Sequence, residues 1–192
     1  MLLLPSITIS ARINTFENSA KNDMKFKLIF ILIFLVTGFS ARTQEMNKTM
    51  IDARFNREIL IGFCDRMGLE KGDHGEIFKL EYEDYVPDKN VIKKLKKLKN
   101  DFSIVLVMGA WCPDCQDLVP QFYKILDESE IGDESLRVIA VDGYKKCEGV
   151  GLEKYKIEKV PTFIFYRKGK EIGRIIERPK GKLEEDILGI VQ

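Results

Sequence analysis

The sequence predicts an α/β domain in which a mixed central sheet is flanked by helices. Apolar, β-branched runs of strand length alternate with longer stretches whose apolar residues recur at helical spacing. Near the carboxyl end, two such runs are joined by a tight glycine-containing turn, which is typical of an antiparallel hairpin. A pair of cysteines, separated by two residues, lies where a strand pattern ends and a helix pattern begins.

Length and composition limit the classes of protein to which the chain can belong. Its 192 residues suggest one domain, or one domain with extensions, and its 45% hydrophobic residues are enough for a packed core. A net charge of +1 gives no reason to expect a nucleic-acid partner. The 4 cysteines are too few for a disulfide scaffold, and only Cys112 and Cys115 are close together.

The amino-terminal stretch has the three-part pattern of a secretory signal. A basic start at 24–27 precedes an apolar run over 28–36 and then small residues. We therefore expect residues 1–41 to be a signal-peptide region. Signals normally begin at the start of a chain, so we expect translation to begin at Met24.

Cleavage of this signal is expected near Ser40 and Ala41, where small residues follow the apolar run. That run is well short of the ~20 residues that a membrane-spanning helix needs. Anchoring in a membrane through 28–41 is therefore the alternative. Export would place the protein where disulfides form and persist.

The segment 42–90 is predicted to be a partly helical N-terminal extension. Apolar residues recur at roughly helical spacing over 49–61, which predicts an amphipathic helix. Over 77–85, apolar or aromatic residues alternate with charged ones, which is typical of an edge strand. His74, the only histidine, lies between these segments in a glycine-rich stretch. We expect a solvated loop histidine there, because no second type of metal ligand lies nearby.

Residues 91–192 are predicted to form the main domain, beginning with a helix and a buried strand. Over 91–100 the apolar residues fall on one helical face and five lysines on the other. The near-neutral chain favours a solvated lysine face over an anionic partner. Asp88 or Asn90 can cap this helix. The run 102–109 is short, β-branched and free of charge, which is typical of a buried strand.

A helix and a second strand follow. An apolar stripe predicts a helix from Cys115 to about Ser129, kinked at Pro120 because proline removes one hydrogen bond. Residues 136–141 predict a strand, and the strand–helix–strand order makes it parallel to the first. The remaining patterns predict a short helix over 152–155, hairpin strands over 162–166 and 171–176, and an amphipathic helix over 183–191.

The pair Cys112 and Cys115 has three competing interpretations. A structural disulfide would close a loop of about four residues, worth about 2 kcal/mol against about 3 kcal/mol for a fifteen-residue loop. Half of a zinc site would lack its other half, because Cys64 and Cys147 have no ligands at metal spacing. The strand-to-helix context favours a redox pair, the interpretation that we adopt.

Their position at a helix N-terminus gives Cys112 and Cys115 different expected roles. Cys112 should lie exposed at the helix N-cap, where free N–H groups lower its pKa from ~8.5 toward ~7 or below. It would attack a substrate disulfide, and the more buried Cys115 would resolve the mixed disulfide. Pro113 suits the first helical position because its missing N–H needs no partner there. Asp114 adds negative charge beside the thiolate and can also bind free N–H groups of the first turn.

One string and two prolines together resemble the thioredoxin family. The string is Trp-Cys-Pro-Asp-Cys at 111–115, and the prolines are Pro120 and Pro161, the latter following Val160. The resemblance covers about 91–192, with motif, prolines and hairpin in the family's order and spacing. It implies the thioredoxin fold, a mixed central sheet flanked by helices, here preceded by an N-terminal extension.

The resemblance also implies a substrate-binding surface. Pro161 would be a cis-proline facing the cysteines, and the backbone at Val160 would pair with an extended substrate segment. Trp111 would be an exposed aromatic that contributes contact surface rather than chemistry, beside Pro113.

The sequence departs from the family's pattern in two places, and the second of these concerns proton transfer. Pro113-Asp114 stands between the cysteines in place of glycine–proline, and Leu106 stands where many members bury a carboxylate as proton acceptor. Cys115 would then lose its proton to water or to another carboxylate. Asp142 ends the second strand at the same sheet edge as the cysteines, so it is a candidate proton relay, as is Asp114. The alternative for Asp142 is an ordinary strand-end turn residue.

These patterns predict an exported thiol–disulfide oxidoreductase that acts on disulfides of partner proteins through Cys112 and Cys115. We expect no metal and no cofactor besides the redox-active disulfide. Electrons would come from an upstream thiol reductant such as a membrane reductase. The alternative is a non-catalytic binding module with a structural Cys112–Cys115 disulfide. Cys147, in the loop after the second strand, is expected to be a spectator, with a regulatory or resolving thiol as the alternative.

Overall fold

The computed structural model describes residues 45–192 of the chain. The signal-peptide region predicted at 1–41, its cleavage position and the alternative anchor at 28–41 all lie outside the described residues. Within residues 45–192, no helix is both long enough and apolar enough to cross a membrane.

A six-stranded mixed sheet forms the centre of the structure, with strand order β1–β2–β4–β3–β5–β6. The strands are β1 (Lys48–Asp52), β2 (Arg57–Cys64), β3 (Ser103–Met108), β4 (Leu136–Ala140), β5 (Thr162–Arg167) and β6 (Lys170–Ile176). Strands β3 and β4 are parallel, as the sequence predicts, and the other neighbouring pairs in this sheet are antiparallel.

Helices flank the sheet. They are α1 (Arg66–Leu69), α2 (Asp73–Asp84), α3 (Lys89–Leu98), α4 (Pro113–Glu128) and α5 (Leu183–Val191), with short 3-10 helices at Asp133–Ser135 and Leu152–Tyr155. Helix α2 packs against α4, and α3 packs against α5. This arrangement confirms the predicted fold, and the elements predicted between 91 and 192 are all present. Pro120 lies inside α4, as predicted.

Helix α3 shows why a lysine-rich stretch forms an outer helix. The Asp88 side chain caps it by accepting hydrogen bonds from two backbone N–H groups in the first turn. Ile92 and Leu95 are buried against the core, while the lysines lie on the opposite face. Two of these lysines, Lys96 and Lys99, form ion pairs with Glu130. These contacts fit the predicted solvated face.

Strand β3 lies at the middle of the sheet, between β4 and β5. Because both of its edges are paired and helices flank the sheet, a charge-free run of apolar residues suits this position. The five residues Ile104–Met108 are buried, and Leu106 is 0% exposed. The strand therefore gives the turn that follows it a rigid support.

The helix predicted over 49–61 is wrong, because β1 and β2 form an antiparallel hairpin there. The Asn56 N–H donates to the Asp52 carbonyl at 2.8 Å, and Asn56 adopts a positive φ of 50°. Asparagine tolerates this conformation, so it forms the turn. Apolar residues four apart fit a helix, but here they fall on two strands and on the turn that joins them.

The edge strand predicted over 77–85 is also wrong, because these residues belong to α2 and its C-cap. Phe78 is buried against Tyr123 of α4, with ring centroids 5.5 Å apart, and it stacks with Tyr82 at 6.4 Å. Residues four apart share one helical face, so packing on α4 selects the helix over the alternating pattern.

The predicted division into an extension over 42–90 and a main domain over 91–192 stays a prediction about domain limits. Within the described residues, segments from both sides of that limit contribute to one hydrophobic core. Leu60, Leu69 and Phe78 lie in the same core cluster as Leu106 and Cys115.

Candidate active site

The site is built on the turn between β3 and α4. Cys112 is the N-cap of α4, and its N–H donates to the Gly109 carbonyl at 2.9 Å. Its own carbonyl accepts from the N–H groups of Cys115 at 3.1 Å and Gln116 at 3.0 Å. Pro113 occupies the first turn, where its missing N–H leaves no partner unsatisfied. The predicted placement of both cysteines at a helix N-terminus is therefore confirmed.

The Cys112 side chain faces the loop before β5. Its Sγ donates to the Val160 carbonyl at 3.4 Å, and the Val160–Pro161 peptide bond is cis, as expected from the family resemblance. This loop covers the sulfur, so Cys112 is only 7% exposed. The prediction of an exposed Cys112 is wrong for this reason, although Cys115, at 0%, is the more buried thiol as predicted.

The environment of Cys112 favours its thiolate. A hydrogen bond from the Cys115 side chain, helped by the backbone N–H groups of Cys115 and Asp114, lowers the pKa of Cys112 to about 7. Burial and the negative charge of Asp114 oppose this shift but do not cancel it. A large fraction of Cys112 is therefore ionised near neutral pH, which is the form that attacks disulfides.

The environment of Cys115 favours its protonated thiol. Burial raises the pKa of Cys115 strongly, and its hydrogen bond to Cys112 raises it further. The Gly109 N–H donates to the Cys115 sulfur at 3.4 Å. Both cysteines are free thiols, so the structure shows the dithiol form of the pair. The two thiols thus differ in the way that an attacking and a resolving cysteine require.

Trp111 is fixed beside the cysteines by contacts on several sides. Its Nε1–H donates to the Val141 carbonyl at 3.0 Å, and its ring stacks on Phe55. At Gly109 a Cβ atom would lie 2.6 Å from the indole, so a side chain there would displace the Trp111 ring. Trp111 is therefore partly buried rather than exposed as predicted, because the β1–β2 turn covers it.

The other residues predicted to bind substrate lie around the same sulfur. Pro113 is exposed on the first turn of α4, while Val160 and Pro161 are buried. The Val160 carbonyl contacts Cys112 directly. The structure thus brings these residues together around Cys112, and their role in binding substrate stays a prediction.

Asp114 has a partner that the sequence did not indicate. Arg178, which follows β6, forms an ion pair with its carboxylate. The two residues are 64 positions apart, so no local pattern could have revealed the pair. Arg178 places a positive charge beside the carboxylate that opposes ionisation of Cys112.

Asp142 is occupied by its own loop. Its Oδ1 accepts from the N–H groups of Tyr144 at 2.9 Å and Lys146 at 2.7 Å. These bonds are those of a strand-end turn, the alternative that the sequence left open. A role of Asp142 as a proton relay stays a prediction.

The remaining cysteines lie in environments that disfavour reaction. Burial raises the pKa of Cys64 to about 12 and also raises the pKa of Cys147, which is partly buried. A thiol with a raised pKa is a poor nucleophile at neutral pH. Among residues 45–192, no group of three or more His, Cys, Asp and Glu side chains is placed to hold a metal ion.

His74 is the largest departure from the sequence-based expectations. It lies on α2 rather than in a loop, and it is partly buried. His74 and Cys115 both line one small cavity. One signal in the sequence could have drawn attention to this residue, because it is the only histidine in the chain.

The fold and the site together define an α/β protein with a paired-thiol centre at the N-terminus of a helix. Residues 71–186 match the family model described as Thioredoxin, which covers more than half of the chain. The chain belongs to the thioredoxin family.

Individual relatives cover about half of the chain. Putative thioredoxin-5 of Dictyostelium discoideum is 32% identical over 104 residues, which are 52% of this chain and 92% of that protein. Thioredoxin H5 of Arabidopsis thaliana is 25% identical over 113 residues, 56% of this chain and 80% of that protein. Among solved structures, Fasciola hepatica thioredoxin is 26% identical with a TM-score of 0.36, covering 51% of this chain and 88% of its own.

Proposed function

We propose that this chain is a thiol–disulfide oxidoreductase that reduces or exchanges disulfides of partner proteins through Cys112 and Cys115. One observation carries the proposal: Cys112 caps the N-terminus of α4 with its sulfur against the Val160 carbonyl, whereas Cys115 is fully buried in the first turn of that helix. A structural disulfide needs no such difference between its sulfurs. The names of the relatives, which are thioredoxins, agree with it.

The first step is attack by the Cys112 thiolate on one sulfur of a partner disulfide. The partner's sulfur–sulfur bond breaks, a mixed disulfide forms, and the other partner sulfur leaves as a thiolate that takes a proton from solvent. Val160, whose carbonyl contacts the Cys112 sulfur, lies where the partner's backbone would dock beside Pro161. Trp111 and Pro113 supply contact surface around the same point.

The second step releases the partner. Cys115 loses its proton and attacks the Cys112 sulfur, the mixed disulfide breaks, and the second partner sulfur leaves as a thiolate. Two electrons have then passed from the cysteine pair to the partner. The Cys112–Cys115 disulfide is the redox group of the protein, and an upstream thiol reductant must return it to the dithiol form.

Trapping tests this function. Wild-type protein with dithiothreitol should speed the reduction of a protein disulfide such as that of insulin, and Cys112→Ser should abolish the effect. Cys115→Ser should accumulate a mixed disulfide through Cys112, because the resolving thiol is gone. Cys147→Ser is the matched control and should keep full activity. Equal rates for wild type and Cys112→Ser, with no trapped species, would overturn the proposal.

We also propose that the protein is exported, with a membrane reductase as one source of electrons. The proposal is supported by the pattern over 24–41, a basic start, an apolar run and small residues. Expression of the full chain, followed by fractionation and N-terminal sequencing, tests it. A mature protein starting near Ala41 supports cleavage, an uncleaved membrane-bound chain supports the anchor, and an uncleaved chain that stays in the cytoplasm contradicts export.

A further inference from the structure

Cys115 needs a base that can take its proton. To attack the mixed disulfide, this fully buried thiol must lose a proton, yet burial raises its pKa. On β3, Leu106 and Met108 offer no proton acceptor. Asp114, on the same helix, is paired with Arg178, and Cys112 is consumed in the mixed disulfide. A titratable side chain on another element can supply this base.

A cavity of about 20 Å³ lies against Cys115. One water molecule needs roughly 10–15 Å³ of such space and about two to four polar partners, which His74, Cys115 and Gln116 can offer at this cavity. Apolar side chains from several elements form much of its wall, namely Leu69, Phe78, Met108 and Val119. Among residues 45–192, His74 and Cys115 are the titratable residues that line it.

The start of α2 holds His74 at this cavity. Gly75, the next residue, packs so closely on the preceding turn that a Cβ atom would lie 2.2 Å from the Glu70 carbonyl oxygen. Its N–H donates to the Gly72 carbonyl at 3.0 Å. His74 is partly buried and lines the cavity, so this residue lies between the cavity and the protein surface.

We propose that His74 accepts the proton that Cys115 loses, through a water molecule in the cavity that the two side chains line. This inference rests on the proposed disulfide exchange. The neutral imidazole takes one proton by way of the water, and the Cys115 thiolate forms a bond to the Cys112 sulfur. The partner thiolate leaves, and the imidazolium returns its proton to solvent. Electron transfer is unchanged, and His74 moves only the proton.

Stopped-flow mixing with one equivalent of 5,5′-dithiobis(2-nitrobenzoate) separates the two steps. In a Cys147→Ser background, attack by Cys112 on the reagent disulfide releases a first equivalent of the coloured 2-nitro-5-thiobenzoate. Attack by Cys115 on the resulting mixed disulfide releases the second. His74→Gln keeps a polar side chain of similar size but cannot accept the proton. We expect the first phase to stay within twofold of the parent and the second to slow at least about tenfold at pH 7.

The pH dependence distinguishes proton transfer from a packing effect. The charged groups that act on Cys115 are Cys112 and Asp114 on α4, and His74 is the titratable group that faces the cavity from α2. The difference in second-phase rate between His74→Gln and its parent should disappear above about pH 9, where hydroxide takes the proton in place of the imidazole. It should also disappear below about pH 5, where imidazoles are protonated. Glu76→Gln, an exposed change on the same helix, should leave both phases unaltered.

Chemical modification covers the case in which His74→Gln does not fold. The chain has 1 histidine, so diethyl pyrocarbonate applied to the oxidised protein modifies a single imidazole, and hydroxylamine restores it. After reduction, modification should slow the second phase and hydroxylamine should recover it. A second-phase rate at pH 7 within twofold of the parent, in His74→Gln or in the modified protein, overturns the inference. Loss of the first phase in the parent itself would instead overturn the proposed function.

Discussion

Phe55 stacks on Trp111, with ring centroids 5.2 Å apart and ring planes inclined by 29°. One ring belongs to the turn between β1 and β2, and the other immediately precedes the attacking cysteine. Arg54 and Arg57 lie 5.3 and 5.8 Å from the Phe55 ring centroid. The β1–β2 hairpin therefore forms part of the surface around the cysteine pair.

Phe55→Ala should loosen Trp111 without removing any reacting group. The aromatic pair is worth about 0.5–1.5 kcal/mol beyond its buried area, so we expect a loss of stability of about 1–2 kcal/mol. Because the chain has 1 Trp, its fluorescence reports on Trp111 alone, and the emission should shift to longer wavelength when Phe55 no longer covers the indole. Phe55→Tyr should preserve the wild-type spectrum. An unshifted emission in Phe55→Ala would show that the stacking does not shield the indole.

Asp52 connects the same hairpin to the loop after β4. Its carboxylate is 1% exposed and accepts from the N–H groups of Gly143 at 2.7 Å, Arg54 at 2.8 Å and Phe55 at 2.9 Å. Asp52→Ala leaves these donors without their acceptor, so we expect a loss of about 2–3 kcal/mol in urea unfolding at pH 7. Asp101→Ala, the same change at an exposed position, is the matched control and should alter stability by under about 0.5 kcal/mol.

The stabilisation by Asp52 should depend on pH. Burial alone would raise its pKa, but the backbone N–H bonds outweigh burial and lower it. A lowered pKa in the folded state means that the stabilisation is complete above the unfolded-state value of ~3.9. It is lost as the pH falls through the folded-state value. The difference in stability between wild type and Asp52→Ala should therefore shrink below about pH 4, and a constant difference down to pH 2 would contradict this account.

The hairpin and α2 mark the limit of what the sequence could predict. From residue 91 onward the elements follow from local periodicity and turn residues, and each is found where predicted. In the described residues before 91, the spacing of apolar residues predicted a helix over 49–61 and a strand over 77–85, and both predictions are wrong. The choice between helix and strand depends there on partners that are distant in sequence. β2 pairs with β4, and Phe78 packs on Tyr123.

The candidate site shows the same limit. The cysteines, their position at the helix N-terminus and the cis Pro161 could be predicted, because a short motif and its order specify them. The contacts of Phe55, His74 and Arg178 with the site could not, since each joins residues far apart in the chain. The burial of Cys112 depends likewise on the loop at Val160, 48 positions away.

Asp114 and Arg178 should tune the attacking thiol in opposite directions. The charge of Asp114 raises the pKa of Cys112, so Asp114→Asn should lower that pKa. Arg178→Ala leaves the carboxylate uncompensated, so it should raise the same pKa. Both shifts should shrink at high salt, because Arg178 is exposed. The rate of Cys112 alkylation by iodoacetamide against pH measures them, with Lys180→Ala as control, and shifts of the same sign for both variants would contradict this assignment.

The ionisation of Cys112 gives a direct pH signature. Its alkylation rate in wild type should rise with a midpoint near pH 7, the pKa that its surroundings produce. The folded-state pKa is below the unfolded-state value of ~8.5, so thiolate formation stabilises the fold fully above about pH 8.5. That contribution disappears as the pH falls through 7. An alkylation midpoint at or above pH 8.5 would mean that the N-terminus of α4 does not lower the pKa of Cys112.

The reduction potential of the Cys112–Cys115 pair tests the central claim most directly. Equilibration of the wild-type protein in glutathione or dithiothreitol buffers of known potential, followed by alkylation and mass measurement, gives the fraction of dithiol. A pair that exchanges disulfides with partner proteins should have a potential between about −270 and −180 mV. A potential far below −300 mV would identify an inert structural disulfide in a binding module, and would contradict disulfide exchange as the function of this pair.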